Sequence, residues 1–149
     1  LRIGYVMTNQ ILMEKITISK QYKDLHTNLF SQYILYEYLT TFDIFKHIKK
    51  LNLHYKKSCD LFYSTLKKEL KGKFEIIKPN GGMFIWTKLK DNSDSEVLLK
   101  KAIEEKILFV PGRVFFEDKS QKSYIRFNFT NSNKKEIIEG ILRLKKILK

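Results

Sequence analysis

The firmest pattern along the chain is a run of apolar residues at steps of three or four: Phe45, Ile48, Leu51, Tyr55, Cys59, Phe62, Leu66 and Leu70. That spacing keeps one face of an α-helix apolar, while Lys46, Lys49, Lys50, Lys56, Lys57, Lys67, Lys68 and Lys71 fill positions between. It predicts a long amphipathic helix that Gly72 stops, because glycine accepts a left-handed cap without a side-chain clash. Upstream, Leu1 to Met7 reads as a short buried strand of apolar and β-branched residues. Asn9 to about Lys20 reads as a helix with Ile11, Leu12, Ile16 and Ile18 on its apolar side. A polar stretch over 24–32 then leads into a second helix, with Ser31 as a cap, ending near Thr41. Thr41-Phe42-Asp43 breaks the chain and recaps it before the long helix.

Past Gly72 the pattern changes. Phe74 to Lys78 reads as a strand, Pro79-Asn80-Gly81-Gly82 is a turn, and Met83 to Leu89 continues as a second strand. Ser93 and Glu96 have capping-box spacing for a helix running to about Lys106. Ile107 to Val110 reads as a short strand closed by Pro111-Gly112, and Tyr124 to Thr130 as another. Asn133 with Glu136 again fits a capping box, opening a last helix with Ile137, Ile138, Ile141, Leu144 and Leu148 inside. The order β-β-α-β-β-α predicts a two-layer α/β sandwich, a small mixed or antiparallel sheet with helices on one face. The first strand and early helices do not obviously join that sheet. They read as the trailing edge of a larger α/β domain over residues 1–41, with a smaller domain and its linking helix over 42–149.

Composition narrows the function classes. At 149 residues and 43% hydrophobic content the chain is globular, and no apolar run is long enough to span a membrane. The net charge of +13 invites a nucleic-acid reading, but the excess is nearly all Lys, spread over helix faces, and Arg is scarce. No nucleic-acid contact is expected through this segment. The single cysteine, Cys59, sits on an apolar helical face as a core residue and fits a reducing, cytoplasmic setting. A first residue other than Met leads to the expectation of a fragment.

A self-contained active site is not visible. His26, His47 and His54 lack metal-ligand spacing, and His47 and His54 read as solvent-facing. Gly81-Gly82 suits a tight turn better than a phosphate cradle. Tyr5 and Trp86 read as core. Two arginines differ from the rest: Arg2 in Leu-Arg-Ile-Gly-Tyr, and Arg126 in Tyr-Ile-Arg-Phe-Asn-Phe-Thr-Asn. Each lies in a β-prone apolar setting, where a charge is costly unless it meets an anion. On the residues alone, Arg126 is either a solvent-facing strand position or a ligand for such an anion, and Arg2 is either a terminal exposed cation or another.

These two segments, with Pro79-Asn-Gly-Gly-Met-Phe-Ile-Trp86 and Phe109-Val-Pro-Gly-Arg113, resemble the C-terminal part of class I/II pyridoxal-phosphate aminotransferases, more narrowly the aminoadipate/aromatic subgroup. The resemblance covers essentially the whole chain. It implies an enzyme that moves an amino group between an amino acid and a 2-oxo acid on pyridoxal 5'-phosphate. It gives Arg126 the substrate carboxylate and Arg2 the cofactor phosphate. The Schiff-base lysine is expected upstream of Leu1, so this chain holds no catalytic residue and is expected to be inactive alone. The family implies a homodimer with residues 24–32 near the subunit interface, though Thr27 and Asn28 receive no ligand contact. An alternative from another class is the aminotransferase-like sensing domain of a GntR-type, winged-helix transcription regulator. Phe84-Ile-Trp86 and Arg126-Phe-Asn-Phe129 lean toward the enzyme. A basic structural domain is the third reading.

Overall fold

The computed structural model describes residues 1–148, which divide into two compact units, one up to Lys49 and one from Lys50 onward. In the first unit, residues 1–9 have no regular structure. The strand expected over Leu1–Met7 is therefore absent. A strand needs a neighbour to take its backbone hydrogen bonds, and among the described residues none pairs with this one. Tyr5, expected in a core, is 88% exposed. Helix α1 spans Gln10–Lys23 and helix α2 spans Leu29–Thr41. Asn9 caps α1 by accepting from the Leu12 amide. Asn28 caps α2 by accepting from the Ser31 amide at 2.9 Å, so Ser31 lies inside the helix rather than at its cap. Neither helix has a buried residue.

Helix α3 covers Ile44–Glu69. Asp43 opens it, its carboxylate accepting from the Lys46 amide. Along the apolar stripe, Phe45 and Ile48 are exposed, Leu51 and Tyr55 half-buried, and Cys59, Phe62 and Leu66 buried. Leu70 is buried just past the helix, and Gly72 follows at φ +84°, the left-handed geometry expected of the stop.

The second unit adds strands β1 (Phe74–Ile76) and β2 (Phe84–Leu89), helix α4 (Ser95–Glu104), strands β3 (Val110–Pro111) and β4 (Tyr124–Asn128), and helix α5 (Lys134–Ile147). The four strands form one antiparallel sheet in the order β1-β2-β4-β3. One face, with Ile85, Leu89, Ile125 and Phe127, packs into a core with Cys59, Phe62 and Leu66 of α3, Leu98 and Ala102 of α4, and Ile137, Ile141 and Leu144 of α5. The expected α/β sandwich is thus present, with an antiparallel sheet. Thr87 points into the same core and satisfies its hydroxyl on the Ile125 carbonyl at 3.3 Å.

Three boundaries differ from expectation for local hydrogen-bonding reasons. Asp94, not Ser93, caps α4 through the Glu96 amide, because Ser93 is engaged by the Asp91 carboxylate. The strand expected over Ile107–Val110 shrinks to Val110–Pro111. The Ile107 amide closes the end of α4 on the Ala102 carbonyl, and Lys106 turns through φ +58°. Pro111 fits there because β3 is an edge strand. Strand β4 ends at Asn128, not Thr130, because the Asn128 side chain accepts from the Thr130 and Asn131 amides and bends the chain.

Candidate functional site: an arginine on the open face of the sheet

Alternation along a strand sends successive side chains to opposite faces. With Ile85, Thr87, Leu89, Ile125 and Phe127 in the core, Phe84, Trp86, Lys88, Tyr124, Arg126 and Asn128 share the other face. The register sets Trp86 opposite Arg126, with Val110 opposite it on the other side. Trp86 stacks on Tyr124 at 5.5 Å between ring centroids and meets Phe115 edge-on at 5.6 Å. Trp86 is therefore a half-buried member of this open face and does not enter the main core.

Arg126 is half-buried within the aromatic surface. Its guanidinium carbon lies 4.2 Å from the Phe84 ring centroid and 4.6 Å from that of Phe115. Its Nε is buried and has no hydrogen-bond partner. A buried donor left unmade costs about 1–3 kcal/mol. Other arginines are committed: Arg113 pairs with Glu96 at 3.2 Å and donates from Nε to the Lys119 carbonyl at 2.8 Å, and Arg143 pairs with Glu139. No carboxylate among the described residues pairs with Arg126. A half-buried fork held against two rings, with an unused donor and no paired carboxylate among the described residues, can take a carboxylate from outside.

Arg2 sits in the irregular first segment, exposed, at φ +60°. Thr27 and Asn28 serve local structure: the Thr27 carbonyl accepts from Gln32 and the Asn28 side chain caps α2. His26, His47 and His54 are exposed, and among the described residues no group of three or more His, Cys, Asp or Glu could hold a metal ion. Cys59 is 6% exposed, and burial pushes its thiol above the usual range, which suits a core residue.

The turn over 79–82 borders a cleft of about 540 Å³ lined in part by Tyr55, Asp60, Lys78 and Asn80. Asp60 and Lys78 are already paired there, and Lys56 also lines the cleft. Lys78 Nζ lies 2.5 Å from Asp60 Oδ1 and holds that carboxyl below its usual range, while Asp60 holds the Lys78 ammonium above its own. The approach is off the hydrogen-bonding direction, so Oδ1 lacks an aligned donor, but charge attraction needs no alignment. That pair ties the turn to α3, and the turn itself, Pro-Asn-Gly-Gly, carries no cation.

Phe115 was not visible as a site residue from the sequence. It lies in a single 3₁₀ turn, Gly112–Phe115, where neither helical nor strand periodicity applies. The only signal was its closeness in sequence to Pro111-Gly112.

Comparison with known proteins gives a consistent result. The model of the family described as aminotransferase class I and II matches residues 1–144. An aromatic-amino-acid aminotransferase of Thermococcus litoralis is 36% identical over 148 residues, covering 99% of this chain and 36% of that protein. The crystal structure of Pyrococcus horikoshii kynurenine aminotransferase, in complex with PMP, aligns at a TM-score of 0.85 and 34% identity, over 93% of this chain and 34% of that one. The HTH-type transcriptional regulator YdfD of Bacillus subtilis is 26% identical over 149 residues, all of this chain and 30% of the regulator. The chain thus spans about a third of the length of the relatives it matches.

Proposed function

Because the chain belongs to the class I and II aminotransferases, we propose that the whole protein transfers an amino group between an amino acid and a 2-oxo acid with pyridoxal 5'-phosphate. The observation that supports this most is Arg126, a half-buried guanidinium with a buried, unpartnered Nε and no paired carboxylate among the described residues. Its fork matches a carboxylate with two parallel hydrogen bonds, on the order of 1.5–3 kcal/mol net when partly desolvated. Arg126 would bind and orient the substrate, fixing where its Cα lies, and would move no proton itself.

The donors of this chain fit the cofactor in kind. An exposed guanidinium such as Arg2 suits a phosphate dianion, and we assign it that role. When bound, pyridoxal phosphate supplies the electron sink for the chemistry at Cα. The lysine that would hold it has no candidate among the lysines here, so this chain alone is expected to be inactive. Residues 1–41 are assigned to the larger cofactor-binding domain and 42–149 to the smaller one, in a cytoplasmic homodimer. Among the described residues no helix is long and apolar enough to cross a membrane.

The test is kinetic, in the full-length protein. Arg126→Lys replaces a planar fork with a point charge and should raise KM for both amino and oxo acid at least tenfold. Arg2→Ala should weaken retention of pyridoxal phosphate on dialysis. Unchanged KM in the first variant would remove Arg126 from the site, and unchanged retention in the second would remove Arg2. The likeness to an HTH-type regulator supports a second reading, a sensing domain in which the same arginines bind without turnover. A full-length protein that binds amino acid and cofactor but yields no oxo acid, and carries a winged helix, would select it.

A further inference from the structure

Resting on the assignment of Arg126 to the substrate carboxylate, we propose that Phe84 and Phe115 are positioning residues that hold the Arg126 guanidinium in one plane. A carboxylate can then reach it only edge-on. The two rings come from different elements. Phe84 opens β2 opposite Asn128, which makes it the diagonal neighbour of Arg126 on the open face. Phe115 closes the 3₁₀ turn that follows β3. Their centroids lie 4.2 and 4.6 Å from the guanidinium carbon, both inside the reach of a cation–π contact, about 6 Å.

Burial alone does not account for this placement. Phe84 is 39% and Phe115 48% exposed, and neither belongs to the main core. What the rings do is restrain a side chain whose Nε has no acceptor and with which no carboxylate among the described residues pairs. An arginine with several rotatable bonds would otherwise pay its ordering entropy when the substrate arrives. Packed against two rings, the guanidinium keeps its N–H edge for a planar carboxylate, which meets that edge in the fork-on-fork geometry.

Phe115 is itself held in place. Trp86 meets it edge-on at 5.6 Å. Two residues before it, Arg113 bridges from Glu96 of α4 to the Lys119 carbonyl, which pins the turn at Arg113. The sequence Pro111-Gly-Arg-Val-Phe115 thus carries a support whose working end is the Phe115 ring.

The experiment uses the full-length protein with Phe84→Leu, Phe115→Leu, Phe115→Tyr and Arg126→Lys. It reads KM, kcat and the arginine Nε–H signals of ¹⁵N-labelled protein, the Arg126 signal being the one missing from Arg126→Lys. In the unsubstituted protein that signal should lie upfield of the main group of arginine signals, shifted by the two rings. Each Leu variant should lose part of the shift and raise KM about tenfold with kcat changed less than about twofold. Phe115→Tyr, which keeps a ring, should stay within about twofold on both. An unshifted Arg126 signal overturns the proposal whether or not the variants fold. So does a rise in KM for Arg126→Lys that neither Leu variant shares, and in that case the carboxylate assignment itself stands. If Arg126→Lys leaves KM unchanged, the assignment fails and the proposal with it.

Discussion

Gly112 is the residue where the open face has least room. A Cβ added there would lie 2.4 Å from Tyr124 Cβ, 2.8 Å from the Tyr124 carbonyl carbon and 2.9 Å from Trp86 Cη2. Two of these neighbours are fixed to the β4 backbone, so the clash cannot be relieved by turning one flexible side chain. Gly112→Ala should therefore cost about 1–3 kcal/mol, read as a lower urea midpoint for the second unit. A midpoint equal to that of the parent would show that the 3₁₀ turn can shift at no cost. Close approach explains why this glycine follows Pro111, and the sequence pattern did not show it. Pro-Gly reads equally well as a loose turn. Arg126 was easier to see, because strict alternation from Tyr124 to Phe129 places it opposite a run of apolar residues. Its flanking by Phe115 was not visible, since the contact joins residues eleven apart in chain number through a turn without periodicity.

At the scale of elements, the amphipathic helices were legible from their spacing, but their caps less so, since Asp94 rather than Ser93 caps α4. Helix α5 is the clearest case of both being legible. Asn133 accepts from the Glu136 amide at 3.1 Å and Glu136 accepts from the Asn133 amide at 2.8 Å, the reciprocal pair expected from Asn-x-x-Glu. Removing it exposes orphan amides at the helix start, so Asn133→Ala should destabilise the second unit by about 1 kcal/mol. The thermal midpoint checks this, and no change would mean that water satisfies those amides as well as Asn133 does. Strand ends were harder to read, because a polar side chain that competes for the backbone decides them. Asn128 ends β4 in this way, and the Ile107 amide is taken by α4 before β3 can begin. The strand expected over Leu1–Met7 failed for a different reason. Apolar and β-branched composition favours a strand, but pairing makes one, and the partner lies outside what local sequence specifies.

At the scale of the whole chain, burial is divided unevenly. Every residue of the core cluster lies at Cys59 or beyond. In the first unit, α1 and α2 bury nothing, and Tyr22, Phe30 and Tyr33 are exposed. Helices of 14 and 13 residues are marginal in water unless an apolar face is packed, because nucleation is costly and propagation gains little per residue. The second unit has a sheet, three helix faces and a shared core to protect its backbone. Hydrogen exchange on this 149-residue chain should accordingly separate the two. Amides of α1 and α2 should exchange close to unstructured rates, while those of β2, β4 and the middle of α5 should be slowed by the opening free energy of the core. The first half of α3, where Phe45 and Ile48 are exposed, should follow the fast group, and the half from Cys59 to Leu66 the slow one. Amides in α1 and α2 as slow as those of β4 would show that the first unit stabilises itself by contacts other than apolar burial. The same experiment bears on the proposed roles of the arginines. Arg126 is placed by the slow-exchanging sheet and should be preorganised in this chain. Arg2 lies in the segment expected to exchange fastest, so its proposed phosphate contact requires ordering that the chain does not supply by itself.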